Sequence, residues 1–221
     1  MDAVILLSGG LDSAVNLAFG VRNFRFRMAI TAHYGQMAAE REISAARALA
    51  AHYGVPHQTV DLPFMRGPGG GALLGCGTVP EPDPAALDDP AQAAASARRV
   101  WVPNRNGLLV NVAAFFAEAM GCTRIVCGFN REEAATFPDN SEEFVAAVND
   151  ALRRSTLCGV QVVSFTQRLS KDEIVSLGDT LGVPWELIWS CYRGGEKPCG
   201  SCESCRRLAR AVASRGRNKG G

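Results

Sequence analysis

Two features are missing from the sequence: a long apolar run and an excess of charge of either sign. No stretch reaches the roughly 18 consecutive apolar residues of a membrane-spanning helix, and the apolar start at residues 3–7 is too short for the hydrophobic part of a signal peptide. The formal net charge is +1, from 23 basic and 22 acidic residues, so no overall field attracts nucleic acid or a membrane surface. These absences predict a soluble, cytoplasmic protein with neither a membrane nor a stable nucleic-acid partner.

The composition that is present suits a folded domain. Hydrophobic residues make up 47% and charged residues 20% of the 221 positions, which excludes disorder of the whole chain. At about 150 residues per domain, the length fits one domain with an appended module. Short apolar runs alternate with helical patterns, which is typical of βα units around a parallel sheet and predicts an α/β fold. The runs lie at residues 3–7, 28–32, 58–62, 125–129 and 160–165.

Residue patterns also place two helices and one loop. Apolar residues after Asn106 recur at i, i+3, i+4 and i+7 and predict a core-facing stripe. Ser170, with Glu173 three residues later, forms a capping-box pattern that places Lys171 in the first turn of a helix. Between residues 65 and 99 the periodicity disappears, which predicts a long loop, either an active-site lid or a disordered segment. The stripe comprises Leu109, Val112, Ala113, Phe116, Ala117 and Met120.

A phosphate-binding loop follows the first predicted strand. Neither a Gly-Lys-Ser/Thr motif nor the Gly-x-Gly-x-x-Gly dinucleotide motif occurs, but residues 8–13 read Ser-Gly-Gly-Leu-Asp-Ser and open a helix. Glycines let backbone N–H groups approach a phosphate, and the helix N-terminus adds partial positive charge. Asp12 would repel a bare phosphate, so its presence predicts a Mg²⁺ ion between carboxylate and phosphate oxygens. The loop resembles the Ser-Gly-Gly-x-Asp-Ser loop of N-type ATP pyrophosphatases, which hold the β and γ phosphates of ATP and leave AMP on a substrate oxygen.

Four of the eight cysteines lie within fifteen residues. Their spacing, Cys-x7-Cys-x2-Cys-x2-Cys, satisfies a tetrahedral zinc ion, and a shell of four thiolates is structural because no position remains for water. An iron–sulfur cluster is the alternative, since Cys-x2-Cys-x2-Cys also resembles part of a ferredoxin sequence. The predicted metal ligands are Cys191, Cys199, Cys202 and Cys205.

The remaining cysteines and the C-terminal charges carry weaker predictions. Cys122 and Cys127 adjoin an apolar strand and are interpreted as small core residues, whereas Cys76, in the predicted loop, stays open as a reactive thiol. Residues 206–221 contain six basic and no acidic residues. We interpret them as a solvated, frayed terminus, with contact to RNA as the alternative. The predicted domains are residues 1–185, with a flexible loop at about 65–99, and a zinc module with a basic tail at 186–221.

Together, the phosphate loop and the cysteine cluster make the chain resemble the QueC family, the 7-cyano-7-deazaguanine synthases of queuosine and archaeosine precursor biosynthesis. The resemblance runs from Val4 to about Arg207. The chain differs from the common family pattern at His33 and at residues 37–38. It also differs at residues 133–136, where the family's Ser-Gly pair is absent. Because of these differences, a related acid is an alternative substrate. The matching segments are residues 102–106 (VPNRN), 128–130 (GFN), 137–139 (FPD), 171–174 (KDEI), 189–192 (WSCY) and 198–205 (PCGSCESC).

The resemblance implies a Rossmann-like parallel sheet of the adenine nucleotide alpha hydrolase type with a small C-terminal four-cysteine zinc module. It implies a C–N bond-forming ligase that uses ATP to convert 7-carboxy-7-deazaguanine and ammonia into 7-cyano-7-deazaguanine, through adenylation of the carboxylate and then of the amide. It further implies Mg²⁺ and Zn²⁺ as cofactors and a homodimer that acts on small molecules. Free ammonium is the expected nitrogen source, because no glutaminase domain is expected within 221 residues.

By position, the resemblance also implies roles for individual residues. Asp12, Ser13, Lys171 and Arg105 are the expected catalytic residues. Lys171 contacts phosphate as charge moves to the departing pyrophosphate, and Arg105 pairs with a carboxylate or phosphate. The substrate is expected to contact Arg105, Asn106, Asn130, Glu133 and Asp139. ATP is expected to contact Leu7, Ser8, Gly9, Gly10, Leu11, Asp12, Ser13, Tyr34, Gly35 and Gln36.

Two other functions stay open at this stage. One is an RNA-modifying pyrophosphatase that adenylates a tRNA base for thiolation and uses the basic tail to contact phosphates. The other is a non-catalytic nucleotide-binding protein. Asp12 argues against the second, because a pure binder has little need of a metal-holding carboxylate.

Overall fold

The computed structural model describes residues 1–67 and 70–215, and its centre is a five-stranded sheet. All four strand pairs are parallel, so the α/β prediction is confirmed. Each predicted apolar run overlaps a strand, although the last two strands are shorter than their runs. The strands are β1 (Asp2–Leu6), β2 (Arg25–His33), β3 (His57–Asp61), β4 (Arg124–Val126) and β5 (Gln161–Val163).

Helices cover both faces of this sheet. Alternation along β1 explains why: Ala3 and Ile5 lie in the cluster formed with α1, α2 and α7, whereas Val4 lies in the opposite cluster with α4 and α6. Such burial on both faces is typical of parallel sheets. The helices are α1 (Leu11–Gly20), α2 (Ala39–His52), α3 (Pro90–Val100), α4 (Arg105–Ala119), α5 (Arg131–Ala134), α6 (Glu142–Ser155), α7 (Lys171–Leu181) and α8 (Glu203–Ser214).

The strand order places a crevice beside the phosphate loop. The order is β3-β2-β1-β4-β5, so the chain builds outward from β1 on one side and then returns to build outward on the other. In sheets of this kind, ligands bind beyond the carboxyl ends of the strands where the order reverses. That point lies between β1 and β4, and both the loop after β1 and the segment after β4 border it.

The helix predictions are confirmed in their main features. Ser170 and Glu173 form the expected capping box at α7. Of the predicted stripe, Ala113 and Ala117 are buried and the other four residues are half-buried. Phe116 and Met120 pack against the same apolar cluster as these alanines, whereas Leu109 and Val112 pack against a neighbouring cluster. Within residues 1–67 and 70–215, none of the helices combines the length and the apolar character needed to cross a bilayer.

The predicted loop at 65–99 is wrong for residues 90–99, which belong to helix α3. The Asp89 carboxylate accepts the Gln92 N–H at 2.8 Å and caps this helix, and Pro90 occupies its first turn. Both are standard signals for a helix start. The alanine-rich sequence that follows has little hydrophobic periodicity, which is why the pattern alone indicated a loop.

The C-terminal segment is also more ordered than predicted. Residues 206–214 lie in α8, and Ala211 is fully buried in the cluster that contains α1 and α7. Arg215 pairs with Asp179 at 3.0 Å and lies over the Trp185 ring. The expectation of a frayed terminus is therefore wrong up to Arg215; Arg217 and Lys219 lie outside the described residues. The domain boundary at 185/186 stays a prediction.

Candidate active site

In the loop between β1 and α1, the hydroxyl groups of two serines form hydrogen bonds within the loop. The hydroxyl oxygens of Ser8 and Ser13 lie 3.2 Å apart, and Ser13 Oγ donates to the Gly10 carbonyl at 3.0 Å. Gly10 precedes α1 and has no side chain with which to cap the helix. The Leu11 N–H donates to Ser190 Oγ at 3.3 Å, but the next two N–H groups have no intrahelical acceptor. The start of α1 therefore favours an anion.

Two glycines let other backbone segments reach this loop. Gly9 has φ +80°, and a Cβ there would lie 2.8 Å from the Glu42 carbonyl oxygen of α2. A Cβ on Gly128, just after β4, would lie 2.9 Å from Ser13 N. Neither position has room for a side chain, since interiors are packed to the density of organic crystals. The Gly9 backbone thus makes room for α2, a reason for glycine that differs from the expected close approach of a phosphate.

Asp12 and Lys171 form an ion pair at the centre of the crevice. Lys171 Nζ lies 2.7 Å from Asp12 Oδ2 and 3.3 Å from Glu133 Oε1, and the lysine side chain is 9% exposed. Burial opposes the charge, but these carboxylates raise the pKa of Lys171 above its usual value. Burial also raises the pKa of Asp12, against the attraction of Lys171. Among the described residues, Asp12 Oδ1 is buried without a hydrogen-bond partner, which leaves it available to a cation.

Glu132 interacts with both the start of α7 and the arginines of α8. Its Oε1 accepts the Lys171 N–H at 2.7 Å, and its Oε2 lies 3.4 Å from Arg207 and 3.2 Å from Arg210. Arg207 also pairs with Glu203 at 2.8 Å. Removing one partner from such a half-buried group leaves an uncompensated charge. The position of Lys171 therefore depends on the helix that begins within the cysteine cluster.

Arg105 lines the same crevice, at the start of α4. Asn104 before it has φ 51°, a left-handed conformation that asparagine tolerates, and turns the chain into the helix. Arg105 Nη1 donates to the Tyr34 hydroxyl at 3.4 Å. Burial opposes the guanidinium charge, but Tyr34, Asp139 and Glu42 raise the pKa of Arg105 above its usual value. A permanent cation in this wall suits a carboxylate or a phosphate.

Two of the three residues in the turn at 34–36, Tyr34 and Gln36, line the crevice. Gln36 Oε1 accepts the Tyr34 N–H at 3.0 Å, and Gln36 Nε2 donates to Glu42 Oε2 at 2.9 Å. Gly35 has φ +92° and faces Arg66 instead, whose Cγ would lie 2.7 Å from an added Cβ. Gly35 thus allows the tight turn.

The remaining predicted substrate residues separate into two groups. Asn106 and Asp139 line the crevice and bind each other, with the Asn106 N–H donating to Asp139 Oδ2 at 3.3 Å. Glu133 also faces the crevice. Asn130 is fully buried away from it and caps α5, with its Oδ1 accepting the Glu133 N–H at 2.9 Å. Asn130 therefore orients Glu133 rather than lining the crevice itself.

These walls enclose one cavity of about 290 Å³ at the carboxyl ends of β1 and β4. Of the predicted ATP and substrate residues, Gly9, Gly35 and Asn130 do not line it. The structure brings the others together from five separate stretches of sequence. They are Leu7, Ser8, Gly10, Leu11, Asp12, Ser13, Tyr34, Gln36, Arg105, Asn106, Glu133, Asp139 and Lys171.

The cavity also contains residues to which sequence reasoning gave no role. Trp101 directly precedes the VPNRN segment and Phe137 is the first residue of the FPD segment, so their place in or beside these motifs was an available signal. Residues on α8 offered no such signal, because their partners are distant in sequence. The additional lining residues include Trp101, Glu132, Phe137, Ser190, Tyr192, Glu203 and Arg207.

The four clustered cysteines form a centre that could hold a metal ion. Their sulfur atoms all lie within 4.8 Å of one another, and three of the four residues are buried. Backbone N–H groups donate to the sulfurs, including that of Cys202 to Cys199 Sγ at 3.3 Å. Burial disfavours the thiolate, but donors from Cys202 and Ser201 lower the pKa of Cys199 to about 6. Burial raises the pKa of Cys202 and of Cys205 instead, so a bound metal ion would be needed to hold all four sulfurs as thiolates.

The segment at residues 70–89 packs mainly on this centre and on α8. Ala72 and Val79 are buried against the cysteines, and Asp88 pairs with Arg210 at 2.7 Å. Cys76 is exposed and lines a separate cavity. In the described structure this segment covers the cysteine centre, whereas the two readings of the sequence were a lid or disorder.

The fold and cavity define an α/β protein with an anion-binding loop at the switch point of a parallel sheet. A family model described as "Queuosine biosynthesis protein QueC" matches residues 2–216, and the chain belongs to that family. A 7-cyano-7-deazaguanine synthase of Desulforudis audaxviator is 62% identical, covering 98% of both chains. Proteins of the same name from Desulforamulus reducens (99% of this chain, 96% of the relative) and Pelotomaculum thermopropionicum (98% of both) are each 52% identical.

Proposed function

We propose that this chain is an ATP-dependent ligase that converts 7-carboxy-7-deazaguanine and ammonia into 7-cyano-7-deazaguanine, the product after which its relatives are named. The observation that carries the proposal is the pairing of Asp12 and Lys171 at the phosphate loop, with Asp12 Oδ1 buried and unpartnered in the described structure. A carboxylate and an ammonium group at the start of a helix suit the release of pyrophosphate from ATP.

The reaction removes two oxygen atoms, and each needs activation because oxide is a poor leaving group. In the first round a carboxylate oxygen attacks the α phosphorus of ATP, pyrophosphate leaves, and ammonia displaces AMP to form the amide. In the second round the amide oxygen attacks another ATP, pyrophosphate leaves, and loss of the two N–H protons expels AMP. One nitrile therefore accompanies two AMP and two pyrophosphate, and one phosphate loop used twice suffices.

The cavity residues divide between the two substrates. The free N–H groups at the start of α1, with Ser8 and Ser13, hold the β and γ phosphates. Lys171 donates to the departing pyrophosphate, and Arg105 holds the acid's carboxylate near the loop. Asp12 Oδ1 fits a Mg²⁺ ion, which when bound neutralises charge between the carboxylate and the phosphate oxygens.

We also propose Zn²⁺ as the ion of the cysteine centre. Four sulfurs at about 2.3 Å from a tetrahedral zinc lie about 3.8 Å apart, which the present spacing approaches. A closed sulfur shell makes the ion structural, so it takes no part in adenylation. An iron–sulfur cluster, the alternative from the sequence, absorbs visible light, whereas a zinc protein is colourless.

The direct test is a mass spectrum of the products formed from the deazapurine acid, ATP, Mg²⁺ and ammonium. The proposal predicts the nitrile, with amide as the intermediate, and no nitrile when ammonium is omitted. Adenylation of tRNA with no reaction of the acid would instead support the RNA-modifying alternative. The family resemblance further implies a homodimer in the cytoplasm, and sedimentation of the purified protein measures its mass.

A further inference from the structure

The cavity at the carboxyl ends of β1 and β4 is lined in part by an aromatic pair that the reaction scheme above does not use. Trp101 lies between α3 and α4, and Phe137 lies just after α5. Their ring centroids are 6.1 Å apart, and their planes differ by 9°. Both residues line the cavity. The lining therefore includes two stacked, nearly parallel rings, whose faces share one orientation.

The surroundings of this pair are those of a site for a flat, charged heterocycle. Buried apolar side chains, Val100 and Val102, form the neighbouring wall. Arg105 and Asp139 follow Trp101 and Phe137 by four and two residues, and both line the same cavity. Apolar walls with a few convergent polar groups are typical of small-molecule sites.

Trp101 is not packed into an apolar cluster of the described residues, unlike most of the aromatic residues. Phe137, by contrast, packs in part against the cluster that includes Val102. A large ring that is half-buried at a cavity edge without packing into a core has its surface available to a ligand. The indole is therefore the better probe of function.

We propose that Trp101 and Phe137 form a stacking platform for the deazapurine ring and keep the amide intermediate bound between the two adenylations. The proposal rests on the proposed function. When the carboxylate becomes an amide, the substrate loses the charge that pairs with Arg105, but the faces of its ring do not change. Stacking is the contact that the acid, the amide and the nitrile share, so it retains the ring while AMP and pyrophosphate leave.

The test compares Trp101→Leu with Trp101→Phe, which keeps a flat ring. Stacking of a base on an aromatic side chain contributes about 1–3 kcal/mol, so the KM for the acid should rise about 5- to 150-fold in Trp101→Leu. Trp101→Phe should restore most of this loss, and the KM for ATP should stay within about two-fold in both. Products of Trp101→Leu should contain a larger fraction of released amide. Phe115→Leu, an exposed position on α4, serves as the control.

A second measurement does not depend on how well Trp101→Leu folds. Titration of wild type with the acid should quench tryptophan fluorescence, and the quenched amplitude should fall in Trp101→Phe. An equal amplitude in both proteins contradicts the platform, as does an unchanged KM for the acid in a folded Trp101→Leu variant or a rise in the two KM values together. Wild type that forms no nitrile contradicts the proposed function itself.

Discussion

At the scale of single residues, the site depends on how charge is balanced around the phosphate loop. Lys171 faces two carboxylates, those of Asp12 and Glu133, in a place where little water reaches it. The ammonium group is needed to compensate them, and one oxygen of Asp12 still has no partner in the described structure. This imbalance is the feature that most strongly indicates a bound nucleotide and cation.

Replacing Asp12 with asparagine should abolish adenylation and preserve the fold. The amide keeps the shape of the side chain, and Lys171 retains Glu133 as a partner, but the charge that holds a cation is lost. We expect AMP formation to fall by about 100-fold or more, with a melting temperature close to that of wild type. Asp150→Asn, at an exposed ion pair on α6, is the matched control. Normal turnover by Asp12→Asn would remove this carboxylate from the mechanism.

Replacing Lys171 with alanine should slow turnover more than it weakens ATP binding. The lysine is proposed to interact most strongly with the charge that develops on pyrophosphate, so kcat should fall about 100- to 1000-fold while the KM for ATP changes little. Lys171→Arg, which keeps a cation, should recover part of the rate. Steady-state kinetics of the two variants measure this, and an unchanged kcat in Lys171→Ala would assign the lysine to stability alone.

At the scale of secondary-structure elements, the phosphate loop is shaped as much by its neighbours as by its own sequence. Gly9 admits the backbone of α2, and Gly128 admits the backbone around Ser13. The sequence predicted that residues 8–13 follow a strand and open a helix, and this is confirmed, since β1 ends at Leu6 and α1 begins at Leu11. It did not predict that α2 approaches Gly9, because that contact joins segments more than thirty residues apart.

Gly9→Ala should therefore reduce the free energy of unfolding more than a glycine-to-alanine change at a position with free space around it. Gly54 also has positive φ, +66°, but no atom lies within 4 Å of an added Cβ, so Gly54→Ala should reduce the free energy of unfolding by about 1 kcal/mol through backbone strain alone. Gly9→Ala adds a clash with α2 and should reduce it by roughly 1–3 kcal/mol more, with weaker ATP binding. Denaturant unfolding of both variants tests this. Equal losses in the free energy of unfolding would show that α2 can shift to accommodate the added methyl group without destabilising the fold.

The limits of sequence-based prediction are visible in the same elements. Strands β1 to β5 and helices α4 and α7 could be predicted because their apolar periodicity or caps are local. The buried positions of α3 are Ser96, Ala97 and Val100, which are mostly small, so its apolar pattern is weak despite a clear cap at Asp89. Asn130 looked like a ligand contact by its place in a motif, but only the structure shows that it caps α5.

At the scale of the whole molecule, the cysteine centre supports the nucleotide site through α8. Arg207 joins Glu203, at the start of α8, to Glu132, which accepts the Lys171 N–H. The sequence alone predicts that the arginines of this helix belong to a solvated terminus. Glu203 is only four residues from Arg207, but their other acidic partners are distant in sequence and give no local signal. These partners are Glu132 and Asp88. Loss of the metal should therefore disturb both the C-terminal fold and adenylation.

Cys202→Ser should lose the metal, lower the melting temperature and reduce activity together. The residue is fully buried at the start of α8, and folding of such a module is coupled to metal binding. Cys76→Ser, at an exposed thiol outside the main cavity, should keep metal content and activity. Elemental analysis measures the metal content of the two variants, and thermal unfolding measures their melting temperatures. A Cys202→Ser variant that stays metal-free with the stability of wild type would contradict a structural metal centre.

The most direct test of the account counts the AMP released for each nitrile formed. Purified protein receives the deazapurine acid, ammonium and Mg-ATP, and AMP, pyrophosphate and nitrile are quantified in the same sample. The account predicts two AMP and two pyrophosphate for each nitrile, with AMP formation dependent on the acid. Nitrile accompanied by ADP and phosphate, or no AMP at all from the folded, metal-loaded protein, would contradict it.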